Sequence, residues 1–213
     1  MTGPRIVLAT RNQHKVVELR QILADLLQGE DVDLDTAVVS VADISDMADV
    51  VESGVTFADN ALLKARAVAA DTGLPALADD SGLAVDVLGG APGVFSARWA
   101  GVHGDDRANV RLLLAQLGDV PDEHRAAGFV CAAALVTPSG DEHVELGTLR
   151  GTLIRAPRGD GGFGYDPILQ IDATRTVAEL PAPEKNAISH RGHALRALAP
   201  RVISVLLGDS PAP

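Results

Sequence analysis

The chain has 213 residues, of which 46% are apolar and only 3% aromatic, so it is long enough for a sizeable core of Ala, Val, Leu and Ile and is not a disordered chain. Its formal net charge of −11 argues against a nucleic-acid polymer as partner, because such binding depends on Lys and Arg contacts to phosphates. The single cysteine, Cys131, argues against a disulfide framework, and the absence of a long apolar run or signal-peptide pattern predicts a cytoplasmic protein without a membrane partner.

The first predicted elements are a strand, a polar loop and a helix. Residues 6–9 form a short apolar run, and residues 16–27 repeat apolar side chains at helical spacing. Asn12 is expected to cap this helix, with Lys15 three residues later. Backbone N–H groups and a lysine then meet at one point, which suits an anion. An ordinary capped helix with a solvated lysine is the alternative.

An acidic segment and a second helix follow. Residues 28–51 predict a surface loop that contains one short strand. The next helix is predicted from a capping box at Thr56 to about Asp71. Asn60 and Lys64 are four residues apart, so we expect both on one face of that helix.

The segment Ala76–Leu83 predicts a buried strand that stops at two adjacent carboxylates, Asp79 and Asp80. Burying two such groups is costly unless they are paired, hydrogen-bonded or bound to a cation. Mg²⁺ typically uses one or two carboxylates together with substrate phosphates. This stretch therefore predicts a divalent metal site that works with a phosphate-bearing ligand.

The second half of the chain predicts a hairpin and a closing helical region. We expect one domain over residues 1–208, with Pro200 kinking or dividing the last helix, and a disordered tail over residues 209–213. A hairpin makes a purely parallel sheet impossible. The further predicted elements are a loop over residues 83–99, a helix over 107–117, strands over 127–136 and 142–149, a strand at 167–169, and a helical region from 183.

The segment Gly159–Gly164 matches the dinucleotide pattern G-x-G-x-x-G, but it is followed by Tyr165-Asp-Pro and not by a helix. We therefore reject a dinucleotide fold. The glycines still allow close approach of a ligand, and Phe163 and Tyr165 offer faces for stacking on a base. The alternative is a structural turn with core aromatics.

A basic cluster near the last helix contains Lys185, His190 and Arg191. Its donors suit oxygen acceptors on a base or a phosphate, and a solvated basic helix end is the alternative. Together with the basic residues of earlier segments and the carboxylates, it supplies what metal-assisted cleavage of a polyphosphate needs: a cation site, a base for water and positive charge for the developing oxyanion.

Five motifs, in order along nearly the whole chain, resemble the inosine triphosphate pyrophosphatase family (the dITP/XTP pyrophosphatases). They are Thr10-x-Asn-x-x-Lys15, Glu52-Ser-Gly-x-Thr-Phe-x-Asp-Asn-Ala-x-x-Lys64, Ala78-Asp-Asp-Ser-Gly-Leu83, Gly161-Gly-Phe-Gly-Tyr-Asp-Pro167 and Lys185-x-x-x-Ser-His-Arg-Gly192. The resemblance implies an α/β fold with a central mixed sheet flanked by helices, two lobes with an active-site cleft between them, a homodimer, Mg²⁺ as cofactor, and hydrolysis of ITP, dITP and XTP to monophosphate and pyrophosphate.

The resemblance also implies roles for particular residues. Asp80 matches the proton acceptor, and Lys15 and Lys64 match catalytic lysines near the phosphates. The residues that match metal ligands are Glu52, Asp79 and Asp80, with a purely structural, hydrogen-bonding role as the alternative for Asp79. The residues that match substrate contacts are Thr10, Arg11, Asn12, Gln13, His14 and Lys15 for the triphosphate, Ser81 beside the aspartates, Phe163, Gly164, Tyr165 and Asp166 for the base, and Lys185, His190 and Arg191 for its 6-keto edge.

Two positions depart from the family pattern. Many relatives carry glycine in place of Arg11, and some carry a second acid in place of Val51, which leaves Glu52 as the one glutamate at that turn. Two rival functions are a phosphomonoesterase with an aspartyl nucleophile and a catalytically silent purine-nucleotide sensor. The adjacent aspartates, which lack Asp-x-Asp spacing, disfavour the first, and the retained acids and lysines disfavour the second.

Overall fold

The computed structural model describes residues 3–27 and 32–208, without the side chains of Gln13, His14 and Leu26. Within these ranges, 3₁₀ turns connect several of the longer elements. The helices are α1 Gln13–Leu26, α2 Leu34–Ala37, α3 Val41–Ile44, α4 Phe57–Thr72, α5 Asp106–Gln116, α6 Ala182–Ile188 and α7 His190–Leu207. The strands are β1 Ile6–Leu8, β2 Val38–Ser40, β3 Ala76–Val85, β4 Ala126–Val136, β5 Glu142–Leu153 and β6 Leu169–Gln170.

The six strands form one mixed sheet in the order β2-β1-β3-β4-β5-β6. Strand β1 runs parallel to both of its neighbours, with Ile6 opposite Val38 and Val7 opposite Ala76. Strands β5 and β6 are antiparallel. A five-residue turn joins the neighbouring strands β4 and β5, as the predicted hairpin requires. The prediction of a central mixed sheet flanked by helices is therefore confirmed.

The chain divides into two compact units. The first contains the residues up to Asp80, Ala132–Gly147 and the residues from Arg191 onward, and the second contains Ser81–Cys131 and Thr148–His190. Strands β3, β4 and β5 each pass from one unit into the other. The predicted cleft and the predicted single domain over residues 1–208 stay predictions.

Each unit has its own apolar core, and the two cores differ in composition. In the first unit, Ala61 and Ala65 of α4 pack with small residues of the sheet such as Ala78 and Ala132. Small side chains let a helix approach a sheet closely, as the alanine spacing of α4 suggests. In the second unit the core uses larger residues, among them Phe129.

Several sequence predictions about element boundaries are wrong. Strand β3 does not stop at the aspartate pair but continues to Val85, so Asp79 and Asp80 lie in its middle. Of the two alternatives for Pro200, division of the last helix is wrong, since α7 is one element with Pro200 inside it, and a kink stays a prediction. Residues 166–168 form a 3₁₀ turn where a strand was expected. The predicted tail at 209–213 lies outside the described residues. No helix in the described ranges is long and apolar enough to cross a membrane.

Candidate active site

Asp79 lies in the first unit at the centre of a buried ionic network, here called the Asp79 cluster: Asp79, Lys15, Arg191 and Glu18. Lys15 Nζ of α1 lies 3.2 Å from Asp79 Oδ2, and Arg191 Nε of α7 lies 3.1 Å from the same oxygen. Arg191 Nη1 also donates to Glu18 Oε2. Burial alone would raise the pKa of Asp79, but the charges of Lys15 and Arg191 outweigh it and hold that pKa below its usual range.

Asp80 belongs to a second group in the same unit, here called the Asp80 cluster: Asp80, Asn60, Lys64 and Glu52. Asn60 Nδ2 donates to Asp80 Oδ2 at 3.1 Å, and Lys64 Nζ lies 3.3 Å from Asp80 Oδ1. Both donors come from one face of α4, as their spacing predicts. Burial raises the pKa of the Asp80 carboxyl above its ordinary value, Lys64 opposes that shift, and the neighbouring charge of Glu52 adds to it.

Lys64 is shared between two carboxylates. Its Nζ lies 2.9 Å from Glu52 Oε1 as well as 3.3 Å from Asp80. Burial would lower the pKa of Lys64, but the surrounding carboxylates raise it above the usual value, so the lysine is protonated. One ammonium therefore holds two carboxylates around the same point.

The turn that carries Glu52 is fixed by the same helix. Asn60 Oδ1 accepts a hydrogen bond from the Gly54 N–H at 2.8 Å, while its Nδ2 donates to Asp80. A Cβ on Gly54 would collide with Asp59 and Asn60, so this close approach requires glycine. Asn60 thus ties the turn at Glu52–Gly54 to the strand residue Asp80.

The loop before α1 shows the predicted cap. Asn12 Oδ1 accepts from the Lys15 N–H at 3.4 Å, and Thr10 Oγ1 accepts from the Asn12 N–H at 3.2 Å. Arg11, however, donates to Asp49 and to the Met47 carbonyl, and so holds the neighbouring loop. Nothing is described of the side chains of Gln13 and His14.

The predicted base loop lies in the second unit. Asp166 Oδ2 accepts from the Phe163 N–H at 2.9 Å and from Lys185 Nζ at 2.7 Å. The Lys185 ammonium lies 5.1 Å from the centre of the Phe163 ring. Phe163 is 46% exposed, which leaves a ring face for another flat group. The structure thus brings together three residues that the sequence placed in two motifs.

Tyr165 differs from this prediction. Its ring is buried in the core of the second unit, and its hydroxyl donates to the Ser96 carbonyl at 2.9 Å. Burial, and then the charge of Asp106, raise the pKa of that hydroxyl. The prediction that Tyr165 offers a stacking face is wrong, because both faces of its ring are buried in the apolar core. His190 is also buried and stacks on Phe129, with ring centres 4.9 Å apart.

The model of the Ham1 family matches residues 6–201 of this chain. The chain belongs to the Ham1 family. Relatives of this Ham1-family chain include two named dITP/XTP pyrophosphatase. The one from Streptomyces coelicolor is 62% identical, with 96% of this chain and 99% of the relative aligned, and the one from Nocardia farcinica is 52% identical, with 96% and 98% aligned. The family predicted from the five motifs is thereby confirmed.

Solved structures agree with this assignment of the Ham1-family fold. A crystal structure of the nucleoside-triphosphatase / dITP/XTP pyrophosphatase from Mycobacterium abscessus is 52% identical, with a TM-score of 0.74 over 92% of this chain and 99% of that chain. The Ham1 protein of Staphylococcus aureus is 36% identical, with a TM-score of 0.81 over 94% and 98%.

In this Ham1-family chain, the sequence motifs do not predict the contacts of two residues in the Asp79 and Asp80 clusters, Glu18 and Asn60. Glu18 follows Lys15 by three residues on α1, and that spacing alone could have placed both on one face. The spacing of Asn60 and Lys64 predicts one face of α4 but does not predict that Asn60 donates to Asp80. Arg191, expected at a base, instead contacts Asp79 and Glu18 in the first unit. Ser81 is partly buried and directly follows Asp80 on β3.

Proposed function

We propose that this Ham1-family chain hydrolyses dITP, XTP and ITP to the monophosphate and pyrophosphate, and so clears non-canonical purine nucleotides. The names of its relatives support the activity and substrate class. The observation that carries the proposal is the Asp80 cluster, where a buried carboxylate of raised pKa lies beside a protonated lysine and a second carboxylate. A base with a raised pKa is better matched to proton transfer near neutral pH.

In the proposed reaction, Asp80 orients a water molecule and accepts its proton. The water oxygen attacks the α-phosphorus, the bond from that phosphorus to the bridging oxygen breaks, and pyrophosphate leaves with the bonding electrons. Asn60, by donating to Asp80 Oδ2, keeps the carboxylate in one orientation. Lys15 and Lys64 are the positive groups proposed to offset charge on the phosphates.

Mg²⁺ is the cofactor that we propose, and Glu52 and Asp80 would hold it. The donor set fits, because two hard carboxylates already converge within hydrogen-bond reach of one Lys64 ammonium, and Mg²⁺ is usually bound through one or two carboxylates plus substrate phosphates. Among the described residues no three His, Cys, Asp or Glu side chains are grouped so that they could hold a metal ion. When bound, the ion would neutralise phosphate charge and polarise the phosphoryl group.

We further propose that Asp79 organises the site and is not a metal ligand. Its carboxylate is buried and engaged by two cations from α1 and α7, and a metal would have to displace one of them. Arg191 then has a positioning role. The triphosphate contacts proposed from the motif at α1 are Thr10, Asn12, Gln13, His14 and Lys15, with Ser81 beside the aspartates.

For the base, we propose stacking on Phe163 and donation to the 6-keto oxygen from Lys185 and His190. Adenine presents an amino group at that position and would leave these donors without an acceptor, which costs about 1–3 kcal/mol for each buried group. Gly164 and Asp166 shape the loop.

We also propose that the protein is a homodimer, and light scattering of the purified chain tests this oligomeric state. We propose a cytoplasmic location, and no nucleic-acid polymer or membrane as partner.

The decisive experiment is a nucleotide panel with product identification. The protein is incubated with Mg²⁺ and dITP, XTP, ITP, ATP or GTP, and the phosphorus products are separated. We expect pyrophosphate and monophosphate from the first three, and little turnover of ATP. Release of orthophosphate would contradict the proposed mechanism, and equal turnover of ATP would contradict the proposed specificity. Phosphoenzyme formation would favour the phosphomonoesterase, and tight binding without turnover would favour the sensor.

A further inference from the structure

The loop that carries Phe163 is held by two carboxylates, and only one of them belongs to the loop. Asp166 Oδ2 accepts from the Phe163 N–H at 2.9 Å. The next N–H along the chain, that of Gly164, donates to Asp106 Oδ2 at 2.8 Å. Asp106 lies 58 residues earlier, as the first residue of α5. Two successive backbone N–H groups are therefore fixed from two separate elements of the second unit.

These contacts fix the peptide group that follows Phe163. Its carbonyl accepts from the Asp166 N–H at 3.3 Å, and its N–H, that of Gly164, donates to Asp106. A peptide plane held at both ends cannot rotate, so the backbone angle that directs the Phe163 side chain is set. Gly164 has φ +63°, a conformation in which a side chain would be strained, and the loop therefore depends on hydrogen bonds for its shape.

The remainder of the loop is anchored independently. The Gly161 N–H donates to the Ala178 carbonyl at 3.0 Å, and a Cβ on Gly162 would collide with the Asp166 carboxylate. Phe163 itself is half exposed, so the conformation of its backbone contributes to the direction of its ring. The Lys185 ammonium lies 5.1 Å from the centre of that ring, and the hydrogen bond that Asp106 accepts from the Gly164 N–H holds the backbone beside it.

We propose that Asp106 is a positioning residue for base recognition: by fixing the Phe163–Gly164 peptide from α5, it holds the Phe163 ring where it stacks on the purine. The inference rests on the proposed function and deepens it, since it names a determinant of base affinity outside every motif of the sequence. Removing Asp106 should weaken substrate binding and leave the phosphate chemistry unaltered.

The first test is Asp106→Ala with dITP as substrate. We expect KM to rise roughly tenfold, as loss of a hydrogen bond to a charged group implies, while kcat stays within about twofold of wild type. The matched control is Asp105→Ala, which removes the N-cap bond that Asp105 Oδ1 accepts from the Ala108 N–H of the same helix. Its KM should equal that of wild type.

Two further measurements separate positioning from a general structural effect. Asp106→Asn keeps an oxygen acceptor at the same place and should lie closer to wild type than Asp106→Ala. Inorganic tripolyphosphate has no base, so its inhibition constant should be equal in wild type and Asp106→Ala. If Asp106→Ala fails to fold, Asp106→Ser, whose hydroxyl is too short to reach Gly164, takes its place.

A double-mutant cycle with Phe163→Ala gives the decisive outcome. If Asp106 acts through Phe163, Asp106→Ala should add little to the KM increase of Phe163→Ala. Additive effects, an Asp106→Asn variant as impaired as Asp106→Ala, or an equal rise in Asp105→Ala would each overturn the inference. If the proposed function fails, the wild-type protein itself releases no pyrophosphate from dITP. The inference about Asp106 is then tested by calorimetry, which measures the binding of dITP and of tripolyphosphate.

Discussion

Asp79 and Asp80 are consecutive residues of β3, exposed by only 4% and 8%, yet their surroundings differ in kind. In the Asp79 cluster, two cations from two helices engage one carboxylate and lower its pKa. In the Asp80 cluster, a single lysine is shared with Glu52, and the pKa is raised. Two buried carboxylates thus have pKa shifts of opposite sign, because the nearby cations outweigh the effect of burial at Asp79 and do not outweigh it at Asp80.

The difference separates a structural role from a chemical one. A carboxylate whose charge is fully compensated stays ionised and holds helices α1 and α7 on the strand, but it is a poor base. A buried carboxylate with less positive charge nearby has a raised pKa and takes up a proton more readily. Successive side chains of a strand point to opposite faces of the sheet. We infer that this alternation gives the two aspartates different neighbours and therefore different roles.

The largest expected effect is that of Asp80→Asn on turnover. The amide cannot accept a proton, so kcat for dITP should fall by roughly 10²–10⁴-fold, the usual contribution of a general base. Thermal unfolding should show that the variant is folded. The control is Asp86→Asn, which removes an exposed carboxylate paired with Arg150 and should keep wild-type kcat. Equal kcat in both variants would contradict the role of Asp80.

Asp79→Asn should instead act on stability. It leaves the buried Arg191 and the part-buried Lys15 without the carboxylate they share, and removing one partner of a buried pair lowers the free energy of unfolding by about 3 kcal/mol. Urea unfolding measures it. Glu142→Gln, which breaks the exposed pair with Arg66, is the control and should change little. A fully active, equally stable Asp79→Asn would refute the assignment.

The same comparison has a pH dependence. The pKa of Asp79 is lower in the folded state than in the unfolded state, so its ionic contribution is complete above the ordinary aspartate pKa of about 4 and is lost as the pH falls toward the folded-state value. The stability difference between wild type and Asp79→Asn should therefore shrink below about pH 4. A constant difference from pH 7 to pH 3 would show that packing, and not charge, is responsible.

A smaller effect is expected when each cluster loses its lysine. Lys64→Ala removes the ammonium that lies between Asp80 and Glu52, and kcat should fall roughly 10–100-fold, as for a lost charge-assisted hydrogen bond. Lys15→Ala leaves Arg191 on Asp79, so the protein should fold while turnover still falls. Circular dichroism beside the kinetics distinguishes the two effects. Unfolding of either variant would identify that lysine as structural.

The sequence by itself determined the family and the order of the main elements, and it supplied most of the candidate site residues. Local signals suffice for these: the capping Asn12, the spacing of Asn60 and Lys64 on α4, and the apolar runs of the strands. These signals depend on neighbours within one or two turns of the chain. They could not show that β3 continues past the aspartates, because its end depends on the pairing of distant strands.

Only the tertiary structure decided how the charges are distributed among the candidate residues. Arg191 is 112 residues from Asp79, Asp106 is 58 residues from Gly164, and Tyr165 is buried by side chains from other segments. A carboxylate's pKa depends on which cations lie within a few ångströms and on how much water has been excluded, and both quantities arise from folding. The sequence therefore shows that two aspartates stand together, and the fold makes one of them the proposed structural anchor and the other the proposed base.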